Sequence, residues 1–187
     1  GEIVIRASSF LSNESENHGG ALYLDCAPTC TITNTTFFDN RAATYGGAIS
    51  CGGGVSANNV TFASNSAGGH GGALFGGGYT VRNSIFVDNS AGNPWNQAYS
   101  CGETGAGDHV LQWRSDRGDA GIDPCVSDPL AADPLLDIPK DNGGPTFTMM
   151  PGVDSPVLSA GTGCEPVDQR GETRNVDACD LGAVERF

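Results

Sequence analysis

Short stretches of alternating apolar and polar residues recur along the first half of the chain. Each is followed by the pattern Phe-x-x-Asn, at residues 10–13, 37–40, 62–65 and 86–89, with intervals of 27, 25 and 24 residues. Apolar side chains stand seven and five residues before each Phe, namely Ile3 and Ile5, Cys30 and Ile32, Val55 and Ala57, and Tyr79 and Val81. Since neighbouring side chains of a strand point to opposite faces, each repeat is predicted to open with a short strand that has one apolar face.

Glycine pairs and a second set of asparagines stand at fixed places in this repeat. Six residues after the first three Phe-x-x-Asn asparagines come Gly19-Gly20-Ala21-Leu22, Gly46-Gly47-Ala48-Ile49 and Gly71-Gly72-Ala73-Leu74. Asn34, Asn59 and Asn83 precede the later Phe residues, and Ala7 takes that place in the first copy. Glycine allows a bend where a Cβ would clash, and asparagine tolerates left-handed backbone. We therefore expect bends at both sets of positions.

A period of about 25 residues, with short apolar stretches between polar corners, is typical of one coil of a parallel β-helix. Helical repeats would need apolar stripes with a period of 3.6, which the Gly and Asn residues interrupt. We predict an all-β fold, a right-handed parallel β-helix whose coils stack so that equivalent side chains form columns. The predicted columns are Phe10, Phe37, Phe62 and Phe86 in the interior, Asn13, Asn40, Asn65 and Asn89 beside them, and Leu22, Ile49 and Leu74.

The repeat stops after Gly92, which predicts three regions in a single structural domain. Residues 1–92 form the regular coils, and residues 93–125 form an irregular coil with an exposed excursion at 102–124, where charged residues dominate. Residues 126–187 form an irregular cap, because the last coil of a solenoid has an unpaired edge and an open core.

Charge and composition exclude several classes of protein. Lys and Arg number 9 against 22 Asp and Glu, a net charge of -13, and phosphate contact needs clustered cations, so no nucleic-acid partner is expected. The sequence contains no run of about 18 apolar residues, so no transmembrane segment is expected in this chain. Gly is frequent, at 28 of 187 residues, but apolar residues recur regularly, which indicates an ordered, turn-rich protein.

Seven cysteines in an acidic chain favour an oxidising, extracellular compartment. The predicted disulfides are Cys164–Cys179 within the cap, Cys101–Cys125 at the base of the excursion and Cys26–Cys30, which would leave Cys51 free. Cys51 could instead pair with Cys26 of the adjacent coil, and spacing alone does not decide between these pairings.

Phe-x-x-Asn followed by Gly-Gly-Ala and Ile or Leu resembles the repeat of the polymorphic outer membrane protein family, over about residues 1–92. The resemblance implies a β-helical passenger on a bacterial surface that serves in adhesion. A second set of motifs resembles the C-terminal segment of bacterial β-helix surface proteins of the choice-of-anchor type, and implies attachment to a membrane or wall beyond it. These motifs are Asp133-Pro134-Leu135-Leu136, residues 141–146, Ser155-Pro156, Asp168-Gln169-Arg170-Gly171 and residues 179–183.

Parallel β-helices of the pectin-lyase-like fold include polysaccharide lyases and hydrolases, which need converging carboxylates or a calcium-binding acidic cluster with a base. The repeated column of Ser12, Asp39, Ser64 and Asp88 places two acids two coils apart, roughly 9 to 10 Å by the strand spacing. No basic residue shares that position, and Asp is common in turns. We therefore interpret the column as turn residues and predict no catalytic residue.

Histidine, aspartate and asparagine residues recur at positions that could hold a metal ion or carry a glycan. His18 and His70 share a repeat position with Tyr45 between them, which favours an aromatic column over a metal site. No cofactor is predicted, and calcium is the remaining metal candidate, since hard oxygen ligands recur at Asp123, Asp128, Asp133, Asp137 and Asp141. Asn13, Asn34 and Asn59 match the glycosylation pattern, but we interpret them as column residues.

The sequence therefore predicts a non-catalytic secreted or cell-surface protein for adhesion or surface display. Its long faces and the excursion would supply the contacts, with carbohydrate or another surface ligand as the partner. One alternative is a structural subunit that stacks end to end into an extracellular filament, because the first coil has an uncovered edge. The other is a polysaccharide lyase or hydrolase.

Overall fold

The computed structural model describes residues 2–25, 29–92, 100–119 and 124–187, and the predicted all-β fold is confirmed. It is a parallel β-solenoid of about four turns, and no helix occurs among these residues. The strands are β1 (Ile3–Arg6), β2 (Ser9–Leu11), β3 (Glu14–Ser15), β4 (Leu22–Leu24), β5 (Thr29–Phe38), β6 (Arg41–Ala42), β7 (Ile49–Cys51), β8 (Gly54–Ala63), β9 (Ser66–Ala67), β10 (Leu74–Phe75), β11 (Thr80–Val87), β12 (Ser90–Ala91) and β13 (Ala106–Trp113).

Three parallel sheets run along the solenoid. The largest has the order β1-β5-β8-β11-β13, with β2 also on β5, and the others have the orders β3-β6-β9-β12 and β4-β7-β10. We number the coils 1 to 4 by their phenylalanines, Phe10, Phe37, Phe62 and Phe86. The register pairs these residues in sequence, so equivalent positions of successive coils face each other.

A fifth layer lies inside the segment predicted as an exposed excursion. Strand β13 pairs with β11 from Thr80↔Ala106 to Val87↔Trp113, and its Val110, Leu111 and Gln112 are buried. Gly107 allows β13 to lie close to β11, because a Cβ at that residue would overlap the carbonyl oxygen of Val81. The repeat pattern did not indicate this strand because Gln112 occupies the column position of the phenylalanines.

The C-terminal region covers both the last strand and one side of the solenoid. Leu130 exchanges backbone hydrogen bonds with β13, donating to Val110 at 2.8 Å and accepting from Gln112 at 3.0 Å. Farther along, Val157 and Leu181 pack on Ile85 and Leu111 in a second apolar cluster. Part of the region also lies along the side of the solenoid, where it contacts Asn34, Asn59 and Asn83.

Two of the predicted disulfides are confirmed. Cys101 is bonded to Cys125 and Cys164 to Cys179, across 24 and 15 residues of sequence. Cys51 is free and buried. The third predicted pair involves Cys26, which lies outside the described residues.

Candidate functional site

The four phenylalanines form a continuous stack in the interior. Ring centroids are 4.9 Å apart for Phe10 and Phe37, 5.1 Å for Phe37 and Phe62, and 4.8 Å for Phe62 and Phe86. The last three rings are fully buried, whereas Phe10 is half-buried at the first coil. Gln112 ends the column, where its Oε1 accepts a hydrogen bond from the Cys125 backbone N–H at 2.9 Å. The stack therefore sets the distance between equivalent positions on the outside of successive coils.

The asparagines of Phe-x-x-Asn form a ladder of hydrogen bonds beside the rings. The Nδ2 of each donates to the Oδ1 of the next, at 2.8 Å from Asn13 to Asn40, 2.8 Å from Asn40 to Asn65 and 2.9 Å from Asn65 to Asn89. At the end, Arg114 Nη1 donates to the Asn89 carbonyl at 2.7 Å. Because amide groups both donate and accept, one residue type repeats without leaving a buried polar atom unpaired.

The second set of asparagines binds the C-terminal region. Asn34, Asn59 and Asn83 adopt left-handed backbone, with φ of 47°, 55° and 47°. The Nδ2 of Asn34 donates to the Val167 carbonyl at 2.8 Å, and that of Asn83 donates to the Thr162 carbonyl at 3.0 Å. These contacts hold the aperiodic region against the bends of coils 2 to 4. Asn59 is fully buried, so its side chain is not open to a glycan.

At coil 1 this contact is replaced by a cleft. Ala7 occupies the position of the bend asparagines with φ of 46°. It has no side-chain amide that could bond to the C-terminal region. A cavity of about 410 Å³ lies here, between Arg6 and Ala7 on one side and Val167 and Arg170 on the other.

The glycine pairs stand where the chain leaves no room for a side chain. Gly19, Gly46 and Gly71 have φ of 64°, 67° and 68°. A Cβ on Gly47 would lie 2.0 Å from the Gly72 carbonyl oxygen of the next coil. Each pair therefore makes a sharp bend in its coil.

Asp39 and Asp88 lie in turns, as predicted. The fold also forms a groove beside Asp88. Asp39 and Asp88 have φ of 54° and 53°, and Asp88 Oδ1 accepts a hydrogen bond from Ser115 N at 2.7 Å. A groove of about 290 Å³ brings Asp88 together with Asp133 and Asp137 of the C-terminal region. This convergence has no sequence signal, since it depends on the path of an aperiodic segment.

The aspartates proposed as calcium ligands bond to their own turns. Asp133 Oδ1 accepts from Leu135 N, Asp141 Oδ1 accepts from Gly143 N, and Asp137 pairs with Lys140 Nζ at 2.7 Å. Asp128 is exposed, and Asp123 lies outside the described residues. Within the described ranges, no three His, Cys, Asp or Glu side chains are grouped so as to hold a metal ion.

An aromatic surface runs along the coils on both sides of the glycine bends. His18, Tyr45 and His70 face one another in successive coils, with ring centroids 5.1 Å and 6.1 Å apart. The ring centroid of Tyr23 lies 6.2 Å from that of His18, and the ring centroid of Phe75 lies 4.4 Å from that of Tyr45. We call these five residues the aromatic face.

The sequence predicted three of the five residues of the aromatic face. It predicted the column of His18, Tyr45 and His70 but missed Tyr23 and Phe75. Both stand three residues after a glycine pair, on strands β4 and β10, so a shared offset was the available signal. The face is the candidate functional site, because solvent-accessible aromatic side chains on a rigid scaffold are typical of binding surfaces; Tyr23 is exposed and the other four are partly buried.

The described part of the chain has no helix with the length and apolar character that a membrane crossing requires. Residues 34–52 and 59–77 match the family model of the Chlamydia polymorphic membrane protein repeat. No curated protein and no solved structure matches the chain. The matched repeat is not that of an enzyme family, and its association with the bacterial outer membrane supports a cell-surface location in general.

Proposed function

We propose that this chain is the non-catalytic binding region of a protein displayed on a bacterial surface, and that the aromatic face makes adhesive contacts. The observation that carries the proposal is the contiguous array of rings outside the coils, of which Tyr23 is 65% exposed. The match of coils 2 and 3 to a membrane-protein repeat supports the location. The choice-of-anchor resemblance of residues 133–183 remains a prediction that fits the same location.

The interior of the solenoid suits this role. The phenylalanine stack and the asparagine ladder place each coil in register with the next, so the outer rings are held before any partner arrives. A surface that is already ordered loses little conformational entropy on binding. Multiple chains on one cell would add avidity to weak individual contacts.

Adhesion of coated beads tests the proposal. Beads carrying the purified chain should adhere to eukaryotic or bacterial cell layers, and the soluble chain should compete. Beads carrying the heat-unfolded chain are the control for nonspecific attachment. Equal attachment of folded and unfolded chains on every layer would contradict an adhesive role.

A polysaccharide-active enzyme is the second candidate, and the groove of Asp88, Asp133 and Asp137 is the observation that favours it. Carboxylates that line one groove can act as an acid and base pair. A screen of neutral and acidic polysaccharides, with and without calcium, should give no products if the adhesive role holds. Products that disappear in Asp88→Asn and persist in Asp39→Asn would support the enzyme.

End-to-end assembly is the remaining candidate, and the one-sided strand pairing of coil 1 in the described residues supports it. In the described chain, β1 to β4 pair with other strands on one side only, and Phe10 is half-buried there. A second copy could add strands to this edge. Electron microscopy of the purified chain should show fibres one subunit wide if assembly occurs, whereas monodisperse particles would exclude it.

A further inference from the structure

A slot opens in the aromatic face between Tyr23 and Phe75. The register places both residues in one outward column with Ser50, which belongs to the coil between them. Since adjacent strands are about 4.8 Å apart, Tyr23 and Phe75 are separated by roughly 9 to 10 Å along the solenoid. The small side chain of Ser50 leaves that interval open, and a cavity of about 270 Å³ lies there.

The rings that bound the slot are held in place by other rings. Phe75 is stacked on Tyr45 with an interplanar angle of 14°, and Tyr23 lies against His18 with an angle of 25°. Ser50 is 5% exposed at the base of the slot. A ligand therefore meets ordered aromatic walls, and little side-chain entropy is lost when it enters.

The charge around the slot is negative. Asp25 Oδ1 lies 3.4 Å from the place of a Cβ on Gly52, which lines the slot. Burial raises the pKa of the Cys51 thiol, which also lines the slot, and the Glu103 carboxylate raises it further. In the described part of the chain no Lys or Arg lines the slot, and the net charge of -13 acts in the same direction. The field therefore favours a cation over an anion.

We propose that this slot binds an arginine side chain of a basic partner protein. A guanidinium group is planar, keeps its charge at all physiological pH values, and stacks on aromatic rings. Tyr23 offers a ring that is 65% exposed, the stacked Tyr45–Phe75 pair lines the opposite side, and Asp25 offers a carboxylate beside Gly52. A neutral sugar would gain the ring contacts without the charge. This inference deepens the proposed function and rests on it for the location, a bacterial surface where the chain would meet the partner protein.

Binding to surfaces coated with matched peptides tests the slot. One biosensor surface carries a blocked peptide with alternating Gly and Arg, and a second carries the same peptide with citrulline, which has the shape of arginine without its charge. A third carries lysine, and a fourth carries a neutral oligosaccharide. The native chain should bind the arginine surface at least about tenfold more strongly than the citrulline surface, and added salt should weaken this binding.

Variants locate the binding on the molecule. Tyr23→Ala should lower binding to the arginine surface about tenfold or more, and its exposed position makes loss of folding a small risk. Asp25→Asn should reduce the preference for arginine over citrulline. Phe147→Ala removes a ring that is 51% exposed in the C-terminal region, outside the aromatic face, and should change nothing.

The outcomes separate this inference from the proposed function. Equal binding to arginine and citrulline surfaces, or unchanged binding by Tyr23→Ala, would overturn the arginine slot. Binding to the oligosaccharide surface alone, lost in Tyr23→Ala, would assign the slot to a sugar instead. If coated beads adhere to cells equally with native chain and Tyr23→Ala, adhesion stands without the slot. If only the peptide surface is bound, the slot stands without adhesion.

Discussion

The side-chain oxygen of Asn59 accepts a hydrogen bond at 3.1 Å from the backbone N–H of Glu165, a residue 106 positions later in the chain. The Nδ2 of the same asparagine lies 3.4 Å from the Gly182 carbonyl and 3.1 Å from Cys164 Sγ. One bend residue of coil 3 thus contacts the C-terminal region at Cys164, one half of the Cys164–Cys179 disulfide, and at Glu165 and Gly182. This links the periodic and aperiodic parts of the protein.

Asn59→Ala is expected to loosen the C-terminal region. The substitution removes these hydrogen bonds, and we expect the free energy of unfolding to fall by about 1 to 2 kcal/mol. Hydrogen exchange should become faster at residues 162–182, while the amides of β5 and β8 keep their protection. Val153→Ala, at an exposed residue outside this segment, is the control. Unchanged exchange at residues 162–182 would show that apolar contacts alone hold the region.

Phe62→Ala is expected to lower the free energy of unfolding by about 3 to 5 kcal/mol, because it removes a fully buried ring from the middle of the stack. Phe147→Ala removes a half-exposed ring and should change stability by no more than about 0.5 kcal/mol. Denaturant unfolding of both variants measures the difference. Similar midpoints for Phe62→Ala and the native chain would contradict an interior position for this ring.

Asn65→Asp is expected to destabilise the ladder more than Asn13→Asp. In the buried position the carboxylate would face Asn89 Oδ1 and the Phe37 carbonyl, which now accept hydrogen bonds from Asn65 Nδ2. We expect a loss of about 3 kcal/mol at residue 65 and less than about 1 kcal/mol at the exposed residue 13. Thermal unfolding at pH 7 compares the two variants. Equal losses would contradict the burial of Asn65 as the reason for the larger effect.

The Cys51 thiol is expected to react slowly in the folded protein. Burial raises the pKa of the thiol above its ordinary value of 9.0, and Glu103 adds to the shift. At pH 8 a thiol reagent should modify it at an appreciable rate only after unfolding. The raised pKa makes folding more favourable below pH 9, and this contribution is lost as the pH rises through the folded-state pKa. Cys51→Ala should remove that alkaline dependence, and a fast reaction in the native chain would refute the burial.

The repeats were sufficient to predict how coils stack. A constant offset between Phe-x-x-Asn and the glycine pair places equal side chains above one another, and aromatic rings and amides each pair with their own kind. The columns of Phe37 and Asn40 could therefore be identified from spacing alone. Strand β13 could not, because Gln112 replaces the phenylalanine and Arg114 closes the ladder through a carbonyl contact.

The candidate site divides in the same way. The sequence alone determined the column of His18, Tyr45 and His70, because a repeat position returns to the same face in every coil. Tyr23 and Phe75 share an offset from the glycine pairs, but only the tertiary structure decided that their rings meet this column across the bends, and that Asp88 meets Asp133 and Asp137. Periodic spacing specifies neighbours one coil away, whereas the contacts of an aperiodic segment depend on which apolar and hydrogen-bonding groups it meets along the finished solenoid.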